Sequence, residues 1–381
     1  MHTLDKTPVV IAAAATGTAA VLVFALLPIL SGALARKFQL DDVQTGLIAT
    51  SYFSVYALIA FSSSAWVRRF NWKRTALCGY TAMIIGLLSC LAADSFALSS
   101  ASLAIVGAGA GLLFPISLTL VSDMEHTDRT YAVKLAAEQL VPAAVLFLLS
   151  SSLFIGYGLS TLLIALISVV ALCLLLSAAL PSKGNTARHT EAVGGGSITL
   201  AIMSLVALTL NFSGFAGLWA FLEVIADDQS FGPAFTATWL AVGLITSGIG
   251  PLVAAVLADR WGRLAPIAGS TFVALTSLLL LTGAVSKTDY ATVLILLPMG
   301  TYFAISYIFS VVAEADHNGK MSGQMSFALA IAAGGGPAIF GLIRASDGPV
   351  VLVMGLLMAA GATLIIWVHT QLQRLNTGAK S

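Results

Sequence analysis

The chain has 381 residues, of which 58% are hydrophobic and only 9% charged, with a net charge of +1 and a mean hydropathy of +0.97. A soluble domain carries roughly a quarter charged residues, so most of this surface must face lipid. The near-neutral balance leaves no basic field for nucleic acid.

The N-terminus before Val9 is short, and the apolar run behind it continues to Leu34. A secretory signal has an apolar core of about 7–15 residues, so this longer run reads as a retained first helix. Spans are predicted at 9–34, 46–67, 75–93, 100–122, 131–154, 159–180, 198–225, 236–258, 264–285, 290–312, 324–343 and 349–368. In lipid only helices and closed barrels satisfy every backbone group. Barrel strands alternate over about ten residues; these runs are continuous and longer, so they are helices. Cys78, Cys90 and Cys173 lie within them and read as small core residues, not disulfides or metal ligands. The glycosylation pattern Asn211-Phe212-Ser213 falls inside a span and has no force there.

One polar segment, Pro181 to Ser197, carries charge, proline and three consecutive glycines, the composition of a flexible linker. It divides the chain into a six-helix bundle over 1–180, the linker over 181–197 and a six-helix bundle over 198–381. Lys and Arg concentrate on the linker side: Arg68, Arg69, Lys73, Arg74, Arg129, Lys183, Arg260, Arg263 and Lys320 among them. The other side receives Arg36, Lys37, Lys287 and Arg344. The positive-inside rule then places the linker and both termini in the cytoplasm.

The halves echo each other. Arg68-Arg69-Phe70-Asn71-Trp72 follows the second span and Asp259-Arg260-Trp261-Gly262-Arg263 the eighth, an offset of 191 positions. Pro142 and Pro337, in the fifth and eleventh spans, are offset by 195. Duplicated bundles of this kind place a solute site near the midplane between repeats and work by alternating access.

At these residues the chain resembles the major facilitator superfamily, over essentially its whole length. The family's hallmark after spans two and eight is Gly-x-Leu-Ala-Asp-Arg-x-Gly-Arg-Arg. Leu257 to Arg263 match it, with Ala255 in place of the leading glycine. The first copy departs: Arg68 takes the Asp position and Asn71 the Gly position. The resemblance implies a gating role for Asp259, Arg260, Gly262 and Arg263, with Arg69 as the surviving first-half arginine. Asp259 opens a helix, where the dipole favours negative charge; positive-inside anchoring alone is the plainer reading. Leu103 occupies the position of the family's proton-linked arginine in span four. Gly334-Gly335-Gly336-Pro337 is similar to the antiporter Gly-Pro motif, although that motif belongs in span five.

Gly107-x-Gly109-x-Gly111 sits in a span without the βαβ context of a dinucleotide loop. Small residues there let helices pack closely. No Walker motif, metal-ligand spacing or nucleophile–base constellation is present in the sequence, so neither an enzyme nor an ATP-driven pump is expected.

Ionisable groups inside spans are functional candidates. Lys134 and Glu138 lie one turn apart in the fifth span, Glu138 about 10 Å in from Tyr131. Lys134 can snorkel to the interface. Glu138 reads either as a structural pair with Lys134 or as a protonatable or solute-contacting group. Glu223, at the outer end of the seventh span, reads as a headgroup-level residue or an entrance. Asp123, Glu125, His126, Asp128, Glu314, Asp316 and His317 fall at loops and are expected to be solvated. Tyr52 and Tyr56 share a face of span two. Asn211 and Trp219 in span seven, and Tyr302 and Tyr307 in span ten, complete the candidates; a mid-span Asn needs a partner, whether another helix or cavity water. Trp66, Trp72, Trp367, Tyr157 and Tyr290 read as interfacial belt residues.

The resemblance implies a secondary active transporter, a monomer without cofactors, in a bacterial cytoplasmic membrane. It is expected to export a small neutral, amphipathic or aromatic solute with proton coupling. A proton-coupled uptake carrier is the nearest rival, followed by a non-transporting sensor or scaffold.

Overall fold

The computed structural model describes residues 4, 6–40, 42–150, 158–184, 197–283, 285–316, 320–346 and 348–378. Among them are twelve helices of 15 residues or more. In the first half these are α1 (Thr7–Phe38), α2 (Asp42–Phe61), α3 (Trp72–Ala92), α4 (Phe96–Ser122), α5 (Thr127–Ser150) and α6 (Gly158–Leu176). In the second they are α7 (Ile198–Asp228), α8 (Pro233–Leu257), α9 (Leu264–Leu278), α10 (Lys287–Ala315), α11 (Met321–Ala345) and α12 (Val350–Gly378). Among the described residues, ten stretches of these helices are long and apolar enough to cross a membrane. The fifth helix carries Asp128, Arg129, Lys134 and Glu138, which lower its hydropathy. Tyr157 and His317 lie outside the described residues, as does most of the linker.

The helices form two compact units: residues 1–125 with 137–185, and residues 126–136 with 186–381. In the first unit α4 packs on α1, α2 and α3, and α6 packs on α1 and α3. In the second, α10 packs on α7, α8 and α9, and α12 packs on α7 and α9. The same five pairings thus recur. The fourth helix of each set is the enclosed one: 78% of the apolar window is buried in both α4 and α10, against 33% in α6 and 28% in α12. The outer helices turn Leu172, Leu175, Leu352 and Leu356 outward, the apolar surface that a lipid solvent requires.

Lipid tails give no hydrophobic drive for helix association, so close approach and hydrogen bonds supply it. Gly107 and Gly111, one turn apart, lie against the backbone oxygens of Tyr52 and Tyr56 on α2. Gly109, on another face, lies against Gly79 and Met83 of α3. The glycine run is therefore a two-sided packing seam. Its counterpart, Gly300, lies against Ser270 and Ala274 of α9, each partner again 191 positions on. Ser95 and Ser286 obey the same offset. Each caps its helix, accepting from the backbone N–H of Leu98 and Asp289 respectively, which satisfies a donor that would otherwise be orphaned.

Hydroxyls close the remaining gaps. Tyr80 shares a buried cluster with Thr16 and Ser177, joining α3 and α1 to the turn after α6. Cys90 and Cys173 are buried free thiols and Cys78 an exposed one. Trp72 and Tyr290, expected at the lipid headgroups, are enclosed by protein: the Trp72 indole donates to the Val67 carbonyl and the Tyr290 hydroxyl to that of Leu222. Trp367 is exposed.

Candidate functional site

The loop after α2 carries the altered hallmark. Asn71 adopts extended backbone and caps α3, its side chain accepting from the Arg74 N–H. The position that is glycine in the hallmark has here become a helix cap. Arg68 makes a two-pronged pair with Asp123 at the end of α4, at 2.6 and 2.7 Å. Both side chains are buried, at 8% and 0% exposure, and the guanidinium lies over the Trp72 ring. A planar fork matched to a carboxylate is the geometry that best repays desolvation. The start of the linker covers this pair. Trp72 N–H donates to the Ser182 carbonyl at 2.9 Å, and a Cβ on Gly184 would overlap Asp123, Trp72 and Arg68. Arg69, the arginine singled out from the hallmark, is exposed; its neighbour holds the pair.

The loop after α8 keeps the hallmark glycine, and Gly262 uses it: its φ of 63° lies in the left-handed region that side chains disfavour. This turn delivers Arg263. Its Nε lies 3.0 Å from Asp128 Oδ1 and its Nη2 3.1 Å from Asp128 Oδ2, while Nη1 binds Glu314 at the end of α10. Burial by itself would lower the Arg263 pKa, but the charges and hydrogen bonds of Asp128 and then Glu314 outweigh it and raise it above the ordinary value. His369 on α12 stands 3.7 Å from Glu314. Asp316 accepts from the N–H groups of Lys320 and Ser322 and from the Ser322 hydroxyl, fixing the start of α11. Arg260 is exposed. Asp259 and Glu223 lie among the side chains outside the description.

The acidic groups assigned to solvent are thus divided. Asp123, Asp128 and Asp316 are buried and paired, whereas Glu125 and His126 are exposed. A charge count along loops cannot find this, because the partners come from segments far away in sequence. The repeat offset does supply a signal: Asp123 and Glu314 are 191 positions apart, and each accepts from an arginine of the preceding hallmark loop.

Within the spans, Lys134 and Glu138 are both 1% exposed and both have interaction partners. Tyr52 and Tyr56 stack with ring centroids 6.1 Å apart, and the Tyr52 hydroxyl donates to the Ala20 carbonyl of α1. Asn211 donates to the Met358 carbonyl of α12 at 3.1 Å, across the close approach that Gly361 permits. Tyr307 donates to the Ala254 carbonyl at 3.5 Å. Trp219 stacks on Phe215, which meets Tyr302 edge-on at 5.5 Å. Trp219 is half-buried while Phe212, Phe215 and Tyr302 are buried. Tyr52 and Tyr307 therefore spend their hydroxyls on neighbouring helices, whereas Asn211 spends only its Nδ2 there and its Oδ1 is buried without a hydrogen-bond partner among the described residues. Trp219 leads an aromatic wall built from α7 and α10.

A sequence model described as the Major Facilitator Superfamily matches residues 11–339. No curated protein matches the chain in sequence. Among solved structures, it is similar to the transporter FucP in an outward conformation, with a TM-score of 0.72 at 15% identity, covering 94% of this chain and 98% of that one. A structure of the E. coli fucose:proton symporter FucP gives a TM-score of 0.70 at 16% identity, covering 93% and 98%. The human organic anion transporter MFSD10 gives 0.72 at 16% identity, covering 94% and 98%. At such identity the likeness is one of fold.

Proposed function

The chain belongs to the Major Facilitator Superfamily, and from that premise we propose that it is a proton-coupled secondary transporter exporting a small neutral, amphipathic or aromatic solute. The observation that carries this reading is the pair Lys134 and Glu138, at 1% exposure each in a chain that is otherwise charge-poor along its spans. A carboxylate at that depth is costly unless it is paired or protonated, and a group that alternates between those states can move a proton with each cycle. Phe212, Phe215, Trp219 and Tyr302 supply apolar, flat surface, suited to stacking and poorly suited to a strongly anionic solute.

In the same reading, Arg263 with Asp128 and Glu314, and Arg68 with Asp123, are linker-side latches, with Asp259, Arg260 and Gly262 shaping the second. The linker side faces the cytoplasm of a bacterial inner membrane, and the protein works as a monomer. Uptake is the second reading, favoured by the likeness to a fucose:proton symporter.

A thermal-shift screen of the purified protein against a metabolite and drug panel identifies the solute, since binding to the native state raises Tm. Proton flux in everted vesicles on adding that solute then gives direction. Export predicts proton release from the lumen on solute addition, and Glu138→Gln abolishes it. Transport of the identified solute unchanged in both Glu138→Gln and Asp259→Asn would reject these assignments.

A further inference from the structure

The outward faces of α3 and α9 are built alike except at their linker-side ends. In α3, Arg74, Leu77, Ile85 and Leu88 are exposed, and spacings of three and eight residues put them on one face. In α9 and the turn after it, Ala265, Ala268, Thr276 and Leu279 are exposed, each 191 positions on. Each half therefore turns a stripe of the same register towards lipid. The ends do not match: Lys73 and Arg74 open α3 where Leu264 and Ala265 open α9.

Lys73 and Arg74 lie one turn before Leu77 and Cys78, and helical side chains lean towards the N-terminus, so both cations stand past the end of the apolar stripe. Arg69 in the preceding loop is exposed, as is Lys183. The bond from Trp72 N–H to the Ser182 carbonyl brings Lys183 to the start of α3. Among the described residues none of these four side chains has an ion-pair or hydrogen-bond partner. The stretch from Phe61 to Ala92 contains no Asp or Glu, and Asp123 is held by Arg68. Phe70, exposed and stacked on Trp66 with centroids 6.5 Å apart, adds a ring of the kind found at headgroup level. Orientation by positive charge requires cations in the loop, but not at the head of a lipid-facing stripe, and α9 has none there.

We propose that the linker-side end of α3 is a binding site for an anionic phospholipid. Its phosphate meets Lys73 and Arg74, with Arg69 and Lys183 around it, and an acyl chain lies along Leu77, Ile85 and Leu88. Charge selects the headgroup: a cation near the membrane surface is drawn to anionic lipid, and a guanidinium fork matches a phosphate. Lys183 belongs to the linker start that covers Arg68 and Asp123, so the bound lipid also ties that segment to the membrane. The site is independent of the solute, its direction and its coupling ion.

The repeat supplies the control. Cys78 is exposed, and its counterpart is Gly269, where an added Cβ meets nothing within 4 Å. A bimane fluorophore is placed on Cys78 in a Cys90→Ala, Cys173→Ala protein. A second protein carries it at Gly269→Cys, with Cys78, Cys90 and Cys173 replaced by alanine. Both are reconstituted in mixed phosphatidylglycerol and phosphatidylcholine bilayers with brominated chains on one lipid or the other, and quenching gives the relative affinity at each position. The expected result is a preference for phosphatidylglycerol of about threefold or more beside Cys78, and close to none beside position 269. Lys73→Gln with Arg74→Gln removes the preference. Salt at about 1 M, which screens beyond about 3 Å, weakens it without any substitution and serves if that variant fails to fold. Equal quenching by the two lipids at Cys78, the same preference at both positions, or a preference that survives the substitutions or the salt overturns the site. Its loss on adding inorganic phosphate at constant ionic strength overturns the lipid in favour of a soluble phosphate.

Discussion

Gln39 and Ser230 are the two non-glycine residues with positive φ among those described, at 53° and 55°, and they lie 191 positions apart. Each follows the first helix of its half. After α7 the Phe231 N–H bonds back to the Ala226 carbonyl, the wrap that a left-handed residue makes at a helix end. A shared strained position at one offset, together with Ser95/Ser286 and Gly109/Gly300, argues for duplication more strongly than the hallmark loops, because backbone conformation survives substitution.

Glycine adopts that conformation without strain. Both side chains are exposed, so little packing is lost. Ser230→Gly and Gln39→Gly are each expected to stabilise the protein by up to about 1 kcal/mol. Thermal unfolding in detergent checks this; a fall in Tm for both would contradict the left-handed geometry.

The Arg68–Asp123 pair, with side chains at 8% and 0% exposure, differs from Arg344–Asp228, at 39% and 49%. Removing the guanidinium takes a two-pronged pair from a buried carboxylate, so Arg68→Ala is expected to cost about 3–5 kcal/mol. Arg344→Ala should cost about 1 kcal/mol or less. Unfolding of the two variants side by side gives the comparison, and equal losses would refute the buried fork.

Gly184→Ala places a methyl among Asp123, Trp72 and Arg68, whereas a methyl on Gly269 meets nothing within 4 Å. The first substitution is expected to destabilise by about 1–3 kcal/mol and to speed protease cleavage in the linker as Ser182 lets go of Trp72. Gly269→Ala, inside α9, should be neutral or stabilising by up to about 1 kcal/mol. Linker cleavage at the wild-type rate in Gly184→Ala would show that the strap is not held.

The two equivalent glycines are not equally tight. A Cβ on Gly300 would stand 2.8 Å from Ser270 O and 3.3 Å from Ala274 Cβ, while one on Gly109 would meet Met83 Cγ at 2.6 Å and Gly79 O more closely still. Both alanine variants should lose stability, Gly109→Ala by about 1–3 kcal/mol and Gly300→Ala by less. The reverse ranking in melting experiments would count against the fold's packing seam.

Much of the architecture was legible from residue order. A continuous apolar run of about 20 residues needs no partner to be recognised, so the helical spans could be read directly. The expected span starts ran a few residues late where helices begin in polar sequence, as at Thr127 and Lys287. The site was less legible. The Arg263 turn is local and marked by Gly262, whereas its partners Asp128 and Glu314 come from other segments of the chain. Arg68 and Arg69 are adjacent in the loop, and nothing in the loop says which one reaches Asp123.

Sequence alone determined the solvent, the helical class and the repeat, because a chain this apolar can satisfy its backbone in lipid in few ways. Tertiary structure decided which charges are enclosed and with whom. Pairing energy depends on distance and desolvation, and these arise only when segments more than a hundred residues apart are brought within a few ångströms, as Asp128 and Arg263 are.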